Sequence, residues 1–479
     1  MSSSRAAWRL SPLVALITIP GPSAPLLAAA PDAAPAPMTV RQAAAPGVIK
    51  APCHGSAPSD FNGDGLADLA VGAPYARVDG RRRAGAVAVR YGDRHAAPAG
   101  PVTWLNQPGG GQAGAGFGAS LAVGDFNRDH CADLAVGVPD QVFGVRRPGA
   151  EGNGAVQIYM GSPNGLRPGQ VLTVKALKGG YGTDRFGAAL VAADLDHDGD
   201  AELAVGAPGL TGGGGVAVFG LHGRTLRPGP LVTERTSWVG QHAAETDSFG
   251  SVLAAGDFDG DKRAELAVGA PGDGLKTQGS ITIVDPVERS ADYVSQDEAG
   301  VGGTPERLDR FGAALAVADF DGDGRADVAV GSPGENSGDA PAAYSQGAVQ
   351  ILAGPSMRQI GRTWSSGGKY DHFGAAIAAG DLNGDHVPDI AIGAPGRAAV
   401  RVLKGVRHQG LAAKGGSMLT SPFGSQVQFG WAVAIRHFGQ GRSSDLLIGS
   451  PGAFGFTGAV TVGRTLNLQG GGLTGYSIG

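Results

Sequence analysis

Six short loops in this sequence set oxygen donors at every second position. The fullest runs from Asp319 to Asp327, with Asp319, Asp321, Asp323 and Asp327 at positions one, three, five and nine. Such spacing turns alternate side chains inward while the backbone wraps a cation, which is the chemistry of a calcium loop. The same pattern occurs at Asp60, Asn62, Asp64 and Asp68, and at Asp125, Asn127, Asp129 and Asp133. It recurs at Asp194, Asp196, Asp198 and Glu202, at Asp257, Asp259, Asp261 and Glu265, and at Asp381, Asn383, Asp385 and Asp389. Asp and Asn also favour tight turns without a metal, and for one loop alone that explanation competes. Carboxylates this close repel unless a cation or protons intervene. Six such loops therefore favour Ca2+, at up to six sites. No donor set contains a His or an evident open position, so the expected role is structural, pinning hairpins. His130, Lys262 and His386 stand at position six, where Gly would ease the turn, and weaker binding is expected there. In a seventh copy His437, Gly439 and Gly441 replace the first three donors. Only Asp445 remains, and that loop is expected to bind nothing.

The segments that must position these loops read as strands. Phe311–Ala318 and Val328–Val330 flank the fifth loop, alternate without helical periodicity, and make it the tip of a β-hairpin rather than an EF-hand. A Phe-Gly pair opens the first strand of copies two to seven, at Phe117, Phe186, Phe249, Phe311, Phe373 and Phe429. A Gly-x-Pro turn closes the second, and a third strand follows, such as Gly85-Ala-Val-Ala-Val or Gly347-Ala-Val-Gln-Ile. A weaker fourth strand follows in most units, for example at Val171–Val174 or Leu231–Thr233. The copies recur every 56 to 69 residues, the first positions being 60, 125, 194, 257, 319, 381 and 437. Four strands in each of seven units predict an all-β, seven-bladed β-propeller. Copy one lacks the Phe-Gly strand. Residues Gly475–Gly479 fit the gap, with Gly479 falling where Ala316 lies in the fifth copy, so the C-terminal strand is expected to close the ring.

The Phe-Gly strand, the DxDxDGxxD loop and the Gly-Ala-Pro turn, in that order and seven times over, resemble FG-GAP repeats. These repeats build the β-propeller head of integrin α subunits, and bacterial secreted proteins carry similar ones. The resemblance covers roughly residues 57–479. It implies calcium held by the acidic loops on one face of the disc, with a backbone carbonyl such as that of Arg325 as a further donor. It also implies that loops on the opposite face take part in ligand binding.

Composition sets the outer bounds. The chain has 479 residues, with 84 Gly and 31 Pro, and its 42% hydrophobic content falls in short regular runs rather than in a disordered tract. A formal charge of −5 and the lack of a basic stripe with interleaved aromatics speak against nucleic acid. Residues 1–30 read as a secretory signal, with Arg5 and Arg9 before the short apolar core Leu13–Ile19, too short for a membrane anchor. No later segment is apolar enough to span a membrane. Residues 31–56 are an Ala/Pro-rich spacer and 57–479 the propeller, which places the protein outside the cell. Cys53 and Cys131 are the only cysteines; in an exported protein they either form a disulfide or are two unrelated small residues.

No catalytic residues emerge. Gly475–Gly479 fits GxSxG, and Gly109, Gly111 and Gly114 fit GxGxxG, but neither has the strand-to-helix context its chemistry requires. The basic loops carrying Arg77, Arg81, Arg82 and Arg83, and then Arg146 and Arg147, lie on the expected ligand face. They form either one patch for an anionic glycan or acidic protein, or a solvated charge run. A third loop with Glu335, Asp339 and Tyr344 is acidic. The favoured reading is a non-enzymatic adhesion or ligand-binding module for an extracellular protein or glycan, its oligomeric state open. The alternative is a polysaccharide hydrolase or lyase with its site in the propeller funnel.

Overall fold

The computed structural model describes residue 53 and residues 59–92, 101–143, 153–174, 184–336, 345–366, 368–412, 416–425, 427–438, 443–453, 459–462, 466–468 and 477–478. The proposed signal and most of the spacer, Arg146, Arg147, Asp339 and Tyr344 lie outside the described residues. The strands form seven antiparallel sheets, one per repeat, arranged as the blades of a propeller; six have four strands, and in blade five the fourth is split into two short pieces. Blade five is representative in its first three strands. Ala314–Ala318 pairs with Asp327–Ser332, which pairs with Ala348–Ala353, whose outer edge takes Arg358–Gln359 and Trp364–Ser365. The fourth strands expected around Val171 and Leu231 are longer than the sequence suggested, running over Arg167–Thr173 and Thr225–Val232. Each follows a third strand whose pairing contains a register shift, which offsets the alternation used to find it. Blade six adds a small ribbon, Gly405–Val406 against Gly410–Leu411.

The first strand of each blade lies innermost, where first strands of successive blades touch one another. Its residues are accordingly small: Ala-Leu-Val-Ala-Ala in blade three and Val-Leu-Ala-Ala-Gly in blade four, all buried. Burial on both sheet faces follows from sandwiching, because each blade packs against two neighbours. The apolar residues thus sort into cores between blades. One joins Phe61, Val87 and Val89 to Phe117, Leu121 and Leu134 across blades one and two. Another joins Leu69, Val71 and Ala88 to Ala432, Leu447 and Val460, from blade one back to blade seven.

The recurring glycines make this packing possible. Gly347 sits at φ +84, and a Cβ there would lie 2.1 Å from the Phe373 carbonyl oxygen of the next blade. The two residues form an isolated parallel bridge, as Gly85 and Phe117, Gly154 and Phe186, and Gly279 and Phe311 also do. Only a residue without a side chain allows that approach.

Ring closure follows the register expected from sequence. Ser477–Ile478 pairs antiparallel with Leu69–Ala73, Val71 opposite Ile478 and Gly72 opposite Ser477. In blade five the equivalent pairs are Val330 with Leu315 and Gly331 with Ala314. The last strand therefore supplies the innermost strand of the blade begun near residue 59. Cys53 and Cys131 are joined as a disulfide with Cα atoms 5.1 Å apart, tying the segment before loop one to loop two.

Candidate metal centres

In blades two to six each acidic loop links the first strand to the second at one end of its hairpin, and loop one leads into the second strand of blade one; backbone amides shape them all. Position one accepts several of them: Asp60 takes the N–H groups of Gly63 at 2.7 Å, Asp64 at 3.1 Å and Gly65 at 2.7 Å. Positions four and six must adopt positive φ to aim those amides. Gly63 and Gly65 do so freely, at φ 72 and 83. His130, Lys262 and His386 hold the same left-handed conformation at φ 67, 80 and 65, with the strain a side chain brings there. Each still donates its N–H to the carboxylate of position one, at 2.9, 2.9 and 2.8 Å.

Position nine is a hub of its blade. Asp68 accepts the Phe61 N–H at 2.8 Å with one oxygen and the Gly92 N–H, beyond the third strand, at 2.7 Å with the other. Asp133 does the same with Phe126 and Gly161, and Asp389 with Leu382 and Gly405. Glu202 and Glu265 reach the Leu195 and Phe258 amides, so the longer side chain keeps the contact at position two. Burial pushes these acids up the pH scale: Asp68 and Glu265 to about 8, and Asp133, Glu202 and Asp327 to about 7.

In loops three, four and five, positions one, three and nine bring one carboxylate oxygen each within 4.8 Å of one another. These sets are Asp194, Asp196 and Glu202; Asp257, Asp259 and Glu265; and Asp319, Asp321 and Asp327. Loops one, two and six place Asn62, Asn127 and Asn383 at position three, so each has one carboxylate fewer. Asn127 directs its amide nitrogen to the Met160 sulfur at 3.4 Å and leaves its buried oxygen without a hydrogen-bond partner. Glu265 likewise keeps one buried oxygen without a partner. Position five is engaged elsewhere. Asp64, Asp129, Asp198, Asp261, Asp323 and Asp385 each accept the N–H two residues on, at 2.7–2.9 Å. Asp198 also meets Arg128 at 3.5 Å, and Asp261 meets Arg263. Loop seven has no acid beyond Asp445, and His437 Nδ1 lies 3.1 Å from the Ser443 carbonyl.

The donor sets fit a hard divalent cation. In loops three, four and five the carboxylate oxygens lie at a spacing that metal–oxygen bonds of about 2.3–2.6 Å can bridge, and buried oxygens of Asn127 and Glu265 have no hydrogen-bond partner. Such an ion would be held chiefly by positions one, three and nine and would supply charge neutralisation. Neighbouring loops are chained by backbone bonds: the Ala132 amide donates to the Asp60 carbonyl at 2.9 Å, Ala326 to Asp257 at 2.7 Å, and Ser444 to Asp381 at 2.7 Å.

The opposite face carries the Phe-Gly starts and the Gly-x-Pro turns. There the arginine loop of blade one is folded back on the protein. Arg81 donates to the Gly111 carbonyl at 2.8 Å, and the Arg83 guanidinium lies 4.7 Å from the Tyr75 ring centre.

A family model for the FG-GAP repeat matches residues 55–89, 117–159, 186–219, 249–284, 311–352 and 373–409. Phosphatidylinositol-glycan-specific phospholipase D of Mus musculus is 32% identical over 252 residues, covering 51% of this chain and 28% of that protein. Integrin alpha-IIb of Homo sapiens is 31% identical over 286 residues, 53% of this chain and 25% of its own length. Among solved structures, BBS1N in complex with ARL6DN aligns over 91% of this chain and 98% of that one at 14% identity and a TM-score of 0.44. The chain thus spans about a quarter of the two curated relatives it matches. With six repeats matched and a seventh blade built on the same plan, the chain belongs to the FG-GAP repeat proteins, as an integrin-α-like propeller.

Proposed function

We propose that this protein is a secreted, calcium-stiffened propeller that binds an extracellular protein or glycan, without catalysing a reaction. The observation that carries the metal part is the convergence of three carboxylate oxygens within 4.8 Å in loops three, four and five. Calcium there neutralises charge that burial would otherwise suppress, and it rigidifies the hairpin tips of the disc. Ligand binding falls to the opposite face, where loop length and charge vary from blade to blade while the inner hairpins stay constant. Export rests on the signal-like residues 1–30, and the Cys53–Cys131 bond suits an oxidising compartment. The relatives include integrin α subunits and a phospholipase D, and this chain matches only part of each, so binding and turnover must be told apart directly.

A glycan array probed with the full chain, with and without calcium, followed by mass spectrometry of the glycans, makes that separation. Retained glycans of unchanged mass, bound more weakly after chelation, are the expected result. Shortened or unsaturated products would replace the binding module with a polysaccharide-cleaving enzyme.

A further inference from the structure

A second set of carboxylates lies at the end of the hairpins away from the acidic loops. In every blade from two to seven, the residue two before the Phe-Gly phenylalanine fills a buried slot. Its backbone carbonyl accepts the N–H of the residue just after the Gly-x-Pro proline. The pairs are Ala115 with Asp140, Asp184 with Gly209, Asp247 with Gly272, Asp309 with Gly334, Asp371 with Gly396, and Val427 with Gly452, at 3.0–3.2 Å. The slot is apolar in blades two and seven, where Ala115 and Val427 are buried, and holds a buried aspartate in blades three to six. A buried aspartate needs compensation. In blade six the residue two beyond the proline is Arg397, whose Nη1 lies 3.5 Å from Asp371. In blades four and five that same position carries a further acid, Asp273 or Glu335.

Those acids do not stand apart. Glu234, Asp247 and Asp273 bring one oxygen each within 4.8 Å of one another, and so do Glu306, Asp309 and Glu335. Both clusters have an oxygen without a donor at a deeply buried side chain. Glu234 is 1% exposed and Asp309 0%; Asp309 Oδ1 has no hydrogen-bond partner, and Glu234 Oε2 takes no N–H or hydroxyl donor, its carboxyl meeting that of Asp247. The remaining oxygens are steered by neighbours: Asp309 accepts the Glu306 amide, Tyr293 donates to Asp273 at 2.9 Å, and Gln296 donates to Glu335 at 2.7 Å. Three carboxylates this close cannot all ionise without a counter-charge; both sites carry an acid where blade six has its guanidinium, and the first cluster has Arg235 beside Glu234 for three acids.

We propose that Glu234, Asp247 and Asp273, and likewise Glu306, Asp309 and Glu335, form two further divalent-cation sites on the face opposite the acidic loops. All-oxygen carboxylate sets of this kind suit hard cations such as Ca2+ or Mn2+. The sites share no residue with the six loops, so they stand or fall independently of them.

The test uses the full chain. Asp273→Arg and Glu335→Arg copy the arrangement of blade six. Bound calcium per chain is counted by equilibrium dialysis at pH 7 with elemental analysis, and circular dichroism checks the fold. Each substitution is expected to remove one calcium, and the double variant two. An unchanged count in folded variants overturns the proposal and leaves shared protons as the counter-charge. Should a variant not fold, crystals of the unsubstituted chain grown with Mn2+ decide the matter. Anomalous peaks at both clusters support the sites, and their absence overturns them.

Discussion

At the scale of single residues, the acids at position nine are the most revealing. Asp68 and Glu265 are held protonated up to about pH 8 in the metal-free chain, first by burial and then by the neighbouring loop carboxylates, against the pull of the amides they accept. In the unfolded chain the same groups lose their protons near pH 4. Between about pH 4 and 8 the folded form therefore binds more protons than the unfolded form, and stability falls as pH rises through that window. The Tm of chelator-treated protein should drop from pH 5 to pH 8 in scanning calorimetry, and saturating calcium should flatten or reverse the slope. A Tm that climbs with pH in chelator would contradict this. The loop residues were legible in the sequence because their spacing is local, nine residues from first to last. Their division of labour was not. Position five turns to an amide two residues on and, in loops three and four, to Arg128 and Arg263, and those arginines carry no motif.

At the scale of elements, the hairpin is defined as much by what it leaves out as by what it contains. Gly331 lies in the second strand of blade five, and a Cβ there would meet the Gly374 carbonyl oxygen of blade six at 2.1 Å. Both partners are backbone, so neither can swing aside. Gly331→Ala should cost about 3 kcal/mol of stability in urea unfolding; a change within about 0.5 kcal/mol would show that the blades separate easily. The strand order, the first three strands of each blade and the closing register could all be read from alternation and repeat alignment. The outer strands were blurred where a bulge broke the alternation, as between Gln157 and Tyr159. Of the opposite-face carboxylates the sequence marked only Glu335, in an acidic loop, and the clusters themselves were hidden for another reason. Glu234, Asp247 and Asp273 come from three separate segments, and only the topology unites them. The Asp-x-Phe-Gly recurrence at Asp184, Asp247, Asp309 and Asp371 was nevertheless a visible signal.

At the scale of the whole molecule, seven cores between blades replace one central core, so every blade depends on both neighbours. Closure is consequently a cooperative property. Deleting residues 475–479 leaves the edge of Leu69–Ala73 unpaired beside the core shared with blade seven. That deletion should lower stability by at least about 2 kcal/mol and promote concentration-dependent association through the open edge. Calorimetry and sedimentation measure the two effects, and a truncated ring that matches the intact chain in both would mean closure lies elsewhere. The disulfide acts at the same blade from the other side. Cross-linking across 78 residues restrains the unfolded chain by about 4.5 kcal/mol.

The closing strand also has a mechanical meaning. Ser477–Ile478 is held to Leu69–Ala73 by antiparallel hydrogen bonds, whereas the two inner strands of blade five are also joined covalently through their acidic loop. Blade one is bonded covalently toward blade two through Cys53 and Cys131. A tether pulling on the C-terminus would load this hydrogen-bonded seam directly, while the loop-joined hairpins and the disulfide between blades one and two still held. The ring is thus built like a clasp, with one side riveted by a covalent bond and the other fastened by hydrogen bonds.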